Sequence, residues 1–375
     1  MHRQRIELCD IAALHILQLA SYKAAQGKCA RPDVAQFIAD LDNRLEQLHA
    51  DILAGRVPYA QYPSFIIHDP KQRLIHAACF EDRVLHHAIM NLAEPVFEKS
   101  LVPSTYACRP GKGVHRAVFQ VLRNLQRYPW FVQVDVNGYF PSINHQRLLL
   151  IMGRRFKGRD FIALLSRIML SYHSSPGKGL PIGSLTSQHF ANYYLDGADR
   201  FLLGHPSVSA HVRYMDDIVW WCRDKASARQ VLLEVSAYLA DICKLHLKAN
   251  AMINRSALGL TYCGFRICAG IIRLTRRKQR CYRLLRQGYE ESWANNLLSD
   301  RELQIHYDAV LAGTLRARSR AWRKQDLQLH PSVYENAAGC CAEVPGTTTP
   351  GTRVPLTATG TLLMNATITT VSALP

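Results

Sequence analysis

The sequence predicts an α+β protein, and three observations carry that prediction. Short runs rich in β-branched and aromatic residues read as strands, as in "WFVQVDVNGYF" (130–140) and "HVRYMDDIVWWC" (211–222). Longer stretches between them repeat apolar residues at helical spacing, as in "ASARQVLLEVSAYLADICKL". At 375 residues and 48% hydrophobic content, the chain can hold two or three subdomains around a packed core.

From Ala35 to Leu53 the spacing predicts one helix, which Gly55 and Pro58 end. In "YPSFIIHDPKQRLIHAACF" two β-branched runs flank Asp69 and Pro70, which predicts a hairpin with Lys71 and Arg73 near its tip. Helical spacing returns in "EDRVLHHAIMNLAEPVFEKSL", where His86 is expected on the surface and His87 in the core. Phe131 to Val136 alternate as a strand. Asp135 stands at its C-terminal end, because Asn137, Gly138 and Pro141 interrupt the pattern before a further helical run. The Gly-Pro-rich start of "GLPIGSLTSQHFANYYLDGADRFLL" is a loop that leads into a helix capped by Ser184 or Thr186. Two apolar runs around Asp216 and Asp217 then predict a hairpin with both acids at its turn. After the helix that follows come a short strand pair ending in "LTYCGFRICAGIIRL" and a basic helix in "RLTRRKQRCYRLLR", Arg273 to Arg286. Beyond Asn336 the chain is rich in Thr, Pro and Gly and nearly uncharged, the composition of a disordered or peripheral tail.

Against 46 Lys+Arg stand 29 Asp+Glu, a formal charge of +17 that favours a polyanionic partner such as nucleic acid. Arg276, Arg280 and Arg283 recur at helical spacing, with Arg277 and Tyr282 beside them, either as a solvated face or as a surface that tracks phosphates. The eleven cysteines show no repeated short spacing, so neither a zinc module nor a disulfide framework is expected. His15 and Gln18 interrupt the apolar run near the start, which argues against a secretory signal. No stretch reaches the roughly 20 apolar residues of a membrane span. A reducing, cytoplasmic setting without membrane contact follows as the expectation.

Asp216 and Asp217 pose the chemical question. Burying even a neutral polar group without a partner costs roughly 2 to 7 kcal/mol, so two adjacent carboxylates between apolar runs need compensation. A metal ion, a cationic side chain or an exposed turn would each provide it. Asp135, at a strand end, is a third acid that one sheet can bring beside them. Neighbouring side chains in a strand face opposite ways, so Asp216 ranks as a direct metal ligand and Asp217 as a ligand or a positioning partner. Oxygen ligands suit Mg²⁺. Two such ions roughly 3.5 to 4 Å apart would activate a hydroxyl and stabilise a leaving pyrophosphate.

The order and flanks of these motifs resemble a reverse transcriptase. "VQVDVNGYFPSI" is similar to the first catalytic aspartate motif and "RYMDDIVWW" to the second. The likeness continues in family order through "KQRLIHAACFEDRVLHHAI", "FEKSLVPSTYACRPGKGVHRAV", "LPIGSLTSQHFANYYLD", "LHLKA" and "TYCGFRI", from about Tyr62 to Ile267. It implies a right-hand polymerase fold. Its parts would be an N-terminal helical segment (1–60), fingers (61–130), a palm with interleaved motifs (131–268), a basic helical thumb (269–335) and the tail (336–375). Group II intron and retron-like enzymes usually carry Pro-Gln-Gly and then Ser-Pro where this chain has "PIGSLTSQ". Ile182 replaces that Gln and Gln188 that second Pro, a pattern similar to the reverse transcriptases of diversity-generating retroelements, which copy a template RNA with errors at its adenines; "YACRPGKGVH" is similar to the same group.

The resemblance implies roles position by position. Asp135, Asp216 and Asp217 match the acids that hold two Mg²⁺ ions, with the backbone carbonyl of Val136 as a further ligand. Phe140 matches the aromatic that excludes a ribose 2′-hydroxyl, and Lys71 and Arg73 the finger cations that approach the incoming dNTP's triphosphate. Ile182 and Gln188 fall in the segment that contacts the nascent base pair, where an aliphatic side chain removes a polar constraint on base choice. Lys248 lies near the family's candidate general acid for pyrophosphate. Arg276, Arg277, Arg280 and Arg283 match a thumb surface for nucleic acid. "YCGFRI" departs from the common Leu-Gly pair of the primer-grip strand, though Gly264 keeps the turn feasible.

The implied partners are a template RNA with its cDNA or primer and a small basic oligomeric accessory protein, in a bacterial or phage-encoded system. Two alternatives stand beside this reading. One is a retron or phage-defence reverse transcriptase of normal fidelity. The other is a non-catalytic RNA-binding homologue, against which the three acids, Phe140 and the finger cations argue.

Overall fold

The structure is a computed structural model that describes residues 3–68 and 72–333. Lys71 and the tail therefore lie outside the described residues. The described residues divide into two compact units: one runs through Lys278 and includes Arg316–Arg318, and the other comprises Gln279–Leu315 and 319–333. No helix among the described residues is long and apolar enough to cross a membrane.

In the first unit, helices and sheets mix as the sequence predicts. The strands are β1 (Gln4–Arg5), β2 (Ser64–His68), β3 (Gln72–His76), β4 (Trp130–Asp135), β5 (Phe156–Lys157) and β6 (Ala210–Tyr214). They continue with β7 (Asp217–Cys222), β8 (Met252–Arg255), β9 (Leu260–Tyr262), β10 (Phe265–Cys268) and β11 (Ile271–Leu274). The central sheet has the order β6-β7-β4-β8, with every neighbouring pair antiparallel. Ile218 to Cys222 are all fully buried, which explains why β7 is continuously apolar and not alternating. The helix Lys225–Asp241 follows at once, because Asp224 caps it: Oδ1 accepts from the Ser227 N–H at 2.8 Å and Oδ2 from the Ser227 hydroxyl at 2.9 Å.

The predicted hairpin is β2-β3, in register from Ser64↔His76 to His68↔Gln72, with Arg73 opposite Ile67. The helix Phe80–Ser100 continues from it through Pro95 and packs on Leu14–Ala25, so the N-terminal segment belongs to the same unit. Asp82 in its first turn is buried and accepts from the Tyr59 and Ala60 N–H groups at 2.8 and 2.9 Å.

Several expectations need correction. The single helix expected over 35–53 is two, Pro32–Ala39 and Leu41–Leu53, because Asp40 leaves the helical conformation and takes Asn43 Nδ2 on its side chain at 2.6 Å. His86 is the buried histidine and His87 the half-exposed one, the reverse of the expectation. Burial, then His87 and Arg83, pushes the His86 imidazole down to about 3, so it stays neutral. The strand pair at 260–274 is a three-stranded sheet, order β11-β10-β9. Its β9–β10 turn places Cys263 at φ +47° and Gly264 at φ +78°, the left-handed pair that a two-residue hairpin needs. Arg273 lies in β11, and the basic helix starts only at Arg276, after Thr275 Oγ1 has accepted from the Lys278 N–H at 3.3 Å.

The second unit holds the helices Asp300–Leu315 and Arg320–Leu329 and most of Arg276–Ala294. Its interior carries several buried polar side chains. Arg286 is buried and donates to Glu290 Oε1 at 2.8 Å and to the His330 carbonyl at 2.7 Å.

Candidate active site

Antiparallel pairing sets Asp135, the last residue of β4, directly opposite Asp217, the first of β7, so their side chains rise from the same face of the sheet. Tyr214 also pairs with Asp217, which leaves Met215 and Asp216 as the turn between β6 and β7. Asp217 therefore belongs to the strand, and Asp216 alone of the two acids sits in the turn. Met215 has φ +56°, a left-handed conformation that costs a non-glycine residue about 1 to 3 kcal/mol and persists only where the surroundings impose it.

Arg213, two residues earlier on β6, imposes it from beneath. Its Nη1 donates to the Met215 carbonyl and to Asn192 Oδ1, both at 2.9 Å. Nη2 donates to the Asn192 carbonyl at 2.8 Å and to Asp199 Oδ2 at 2.6 Å, and Nε to Asp199 Oδ1 at 2.7 Å. All the guanidinium donors are used. Arg213 and Asp199 are each 0% exposed. Burial works against ionisation of Asp199, but Arg213 and His211 together outweigh it and hold the carboxyl down at about 2.

The carboxylates at this end of the sheet have the opposite electrostatics. Burial first and Asp135 second raise Asp216 above the usual carboxylate range. Burial also pushes Asp217 up to about 7, with Asp135 and Asp216 adding to the rise and Gln133 opposing it. Gln133 Nε2 donates to Asp217 Oδ1 at 3.1 Å and to the Thr261 carbonyl at 3.0 Å, while the Tyr262 hydroxyl donates to the Asp217 carbonyl at 3.0 Å. Asp217 is thus held by its neighbours, and Asp216 is left to face Asp135. Lys248 Nζ is bonded to Asp135 Oδ2, and its own N–H donates to the Asp135 carbonyl at 2.9 Å. Asp135 Oδ1 is buried with no partner. Among the described residues no three His, Cys, Asp or Glu side chains surround one point.

Val136 bridges to Leu247, but the flanking residues make the hydrogen bonds: the Asp135 carbonyl accepts from Lys248, and the Asn137 N–H donates to the His246 carbonyl at 2.8 Å. The antiparallel pattern then turns the Val136 carbonyl to the other side of β4, toward β7 and the acids.

Phe140 is half-buried, in the short helix Tyr139–Ser142 just past Asp135, and its carbonyl accepts from the Leu180 N–H at 3.0 Å. The Ile182 carbonyl accepts from the His76 N–H at 3.1 Å, which joins this loop to the β2-β3 hairpin. Gly183 makes that approach feasible: at φ +112°, a Cβ would stand 2.9 Å from Ile75 Cγ2. Ser184 caps the helix Leu185–Tyr194 without a side-chain cap bond, its hydroxyl lying 3.2 Å from His86 Nδ1. The Gln188 side chain accepts from Cys108 Sγ at 3.6 Å. Of the basic-helix residues, Arg276, Arg277 and Arg280 are exposed, whereas Arg283 is committed to Asp326, with Nη2 donating to Oδ1 at 2.6 Å.

Arg213, Asp199, Gln133 and Tyr262 are absent from the sequence-derived site. One signal was available for Arg213: a charged residue between Val212 and Tyr214 in an apolar strand demands a buried partner, and Asp196 and Asp199 lie just upstream.

Residues 68–267 match the family model described as reverse transcriptase (RNA-dependent DNA polymerase). Among curated proteins the chain is similar to Protein YkfC of Escherichia coli (strain K12), 26% identical over 192 residues, covering 47% of this chain and 48% of that protein. It is also similar to the group II intron-encoded protein LtrA of Lactococcus lactis subsp. cremoris, 26% identical over 140 residues, covering 36% of this chain and 23% of that one. The chain thus spans about half the length of the first relative and less of the second. Among solved structures it resembles apo telomerase from Candida tropicalis, with a TM-score of 0.46 and 11% identity over 72% of this chain and 62% of that chain.

Proposed function

Because the chain belongs to the reverse transcriptase (RNA-dependent DNA polymerase) family, we propose that it copies an RNA template into cDNA by nucleotidyl transfer at Asp135, Asp216 and Asp217. The carrying observation is the facing of Asp135 and Asp217 across β4 and β7 with Asp216 in the adjoining turn. Burial and mutual repulsion raise Asp216 and Asp217, which marks a place short of positive charge.

These residues fit a divalent cation. The orphaned Asp135 Oδ1 and the facing Asp216 offer oxygen ligands of the kind that Mg²⁺ shares with substrate phosphates, and the Val136 carbonyl is turned the same way. Asp217, engaged by Gln133, fits a positioning role better than a direct ligand's. When bound, two such ions supply activation of the primer 3′-hydroxyl and neutralisation of the leaving pyrophosphate. Lys248 pairs with Asp135 in the resting site and would donate a proton to pyrophosphate when that pair opens. Phe140 closes the floor where a ribose 2′-hydroxyl would sit. Lys71 and Arg73 approach the triphosphate of the dNTP, and Arg276, Arg277 and Arg280 track the nucleic-acid backbone. In this reading β2-β3 belongs to fingers, the central sheet to a palm and the basic helix to a thumb.

The finer class we propose is that of the diversity-generating retroelements, supported by Ile182 and Gln188 in "PIGSLTSQ". A small basic accessory protein belongs to that reading. Primer extension on an RNA template with Mg²⁺, followed by cDNA sequencing, tests both levels, with Asp216→Ala/Asp217→Ala as control. Synthesis by the unaltered protein alone supports the polymerase, and substitutions concentrated opposite template adenines support the class. Accurate synthesis would move the assignment to a retron or defence enzyme. No synthesis with cognate RNA and accessory protein supplied would leave an RNA-binding homologue.

A further inference from the structure

The end of the central sheet away from the carboxylates carries a cationic and aromatic cluster that nucleotidyl transfer does not use. Trp130 opens β4, five positions before Asp135, which puts it roughly 16 Å away at about 3.3 Å per strand residue. Lys225 Nζ lies 5.7 Å from the centre of its ring and the Arg255 guanidinium 5.6 Å. Arg127 stands 5.5 Å from the ring of the adjacent Tyr128. These are ordinary cation–π separations. Arg127, Tyr128, Trp130 and Arg255 line one open depression of about 560 Å³, together with Gln126 and Ser256.

The three cations are exposed, and none is paired with a carboxylate among the described residues. Asp224, the acid beside Lys225, is turned to the Ser227 N–H and hydroxyl. Positive charge gathered without an acid is neutralised by an incoming anion. The aromatic rings narrow the class: a free phosphate or a duplex backbone needs only the cations, whereas a single strand offers phosphates to cations and bases to rings. Arginine held over an aromatic face keeps its in-plane N–H donors available.

We propose that this cluster is a second RNA-binding surface. It seats a single-stranded segment outside the catalytic cleft, with Arg127, Lys225 and Arg255 on phosphates and Tyr128 and Trp130 against bases. It rests on the polymerase reading only for what the bound strand serves, namely retention of the template during synthesis.

The test uses the full chain and a fluorescent polyuridine oligonucleotide, with affinity read by anisotropy across a salt series. The variant Arg127→Gln/Lys225→Gln/Arg255→Gln should bind at least about tenfold more weakly, and its log–log salt slope should be shallower by about 2, three contacts at about 0.7 each. Trp130→Leu should lose affinity with the slope unchanged, since stacking releases no counterions. Extension of a short primer–template duplex should be unaltered in the triple variant. Asp216→Ala/Asp217→Ala should lose extension yet keep polyuridine binding, which separates this proposal from the polymerase reading. Unchanged affinity and slope in the triple variant overturn the proposal. So does competition by polyglutamate as effective as by unlabelled polyuridine, which would assign the surface to an acidic protein.

Discussion

Replacing Arg213 by methionine should destabilise the first unit and loosen the β6–β7 turn on which the proposed catalysis depends. The substitution removes five donated hydrogen bonds, two of them to Asp199, and leaves that carboxylate buried at 0% exposure with Thr105 Oγ1 and His211 Nε2, 3.2 and 3.1 Å away, as its remaining polar neighbours. Breaking a buried ion pair from one side costs about 3 to 5 kcal/mol. At about 2 to 4 °C per kcal/mol for a domain of this size, the melting temperature should fall by about 10 °C. Activity should fall even where the variant is fully folded, because the Met215 carbonyl has lost its anchor and the left-handed turn can relax. A shift of about 1 Å at a reacting group costs on the order of a hundredfold. The assays are thermal melting by circular dichroism and single-nucleotide incorporation well below the variant's melting temperature. Arg213→Met/Asp199→Leu separates the two effects: removing the stranded acid should recover part of the stability and none of the incorporation rate. A single variant that melts with the parent would refute the energetic argument. A double variant with parental activity would refute the positional one.

Three further outcomes follow from the same geometry. Asp217 is raised to about 7 in the fold, so between the ordinary carboxylate range and about pH 7 the folded chain holds a proton that the unfolded chain has released; this contribution to stability is present in acid and lost as pH rises. Metal-free Asp217→Asn should therefore gain stability relative to the parent from about pH 5 to about pH 8, as followed by thermal melting in chelator, and Mg²⁺ should stabilise the parent more at the higher pH. Gln133→Leu removes a hydrogen bond that lowers the Asp217 pKa, so the acidic limb of the incorporation pH profile should move up, with kcat reduced several-fold. An unmoved limb would mean that Gln133 only fills space. If the proposed diversity-generating class holds, Ile182→Gln should reduce substitutions opposite template adenines in sequenced cDNA, and an unchanged error spectrum would count against a role for Ile182 in base selection.

What could be read from the sequence was whatever is encoded locally. The β2-β3 hairpin and the strand ending at Asp135 announce themselves by period and punctuation, and so does the β6–β7 hairpin, although its turn holds Asp216 alone while Asp217, expected there too, opens the strand. Errors arose where tertiary contacts decide. His86 and His87 lie on a helix with buried residues on more than one side, so spacing alone cannot set which of the two faces inward. Asp40 leaves the helical conformation to serve as the N-cap of the next helix, its carbonyl accepting from the Arg44 N–H at 3.1 Å, a boundary that apolar periodicity does not register. Of the candidate site, the gathering of the three acids at one sheet end was legible, but the residues that hold them were not. Arg213 reaches Asp199 and Asn192 on other elements, and Gln133 reaches Asp217 across the β4–β7 pair, and no local pattern specifies either contact. Arg283 looked like part of a phosphate surface because its partner, Asp326, is 43 residues away in sequence.

The bond between Lys248 and Asp135 gives the resting site its own counter-ion. A cluster of acids that relied on an outside cation would resist folding until that cation arrived; this one can fold first and be loaded afterwards. Under the proposed chemistry, a divalent cation entering at the unpartnered Oδ1 of Asp135 would meet an ammonium already on Oδ2, so its affinity would be weakened until a triphosphate brought negative charge of its own to receive the lysine. One lysine would thereby tie the priming of the site to the arrival of substrate.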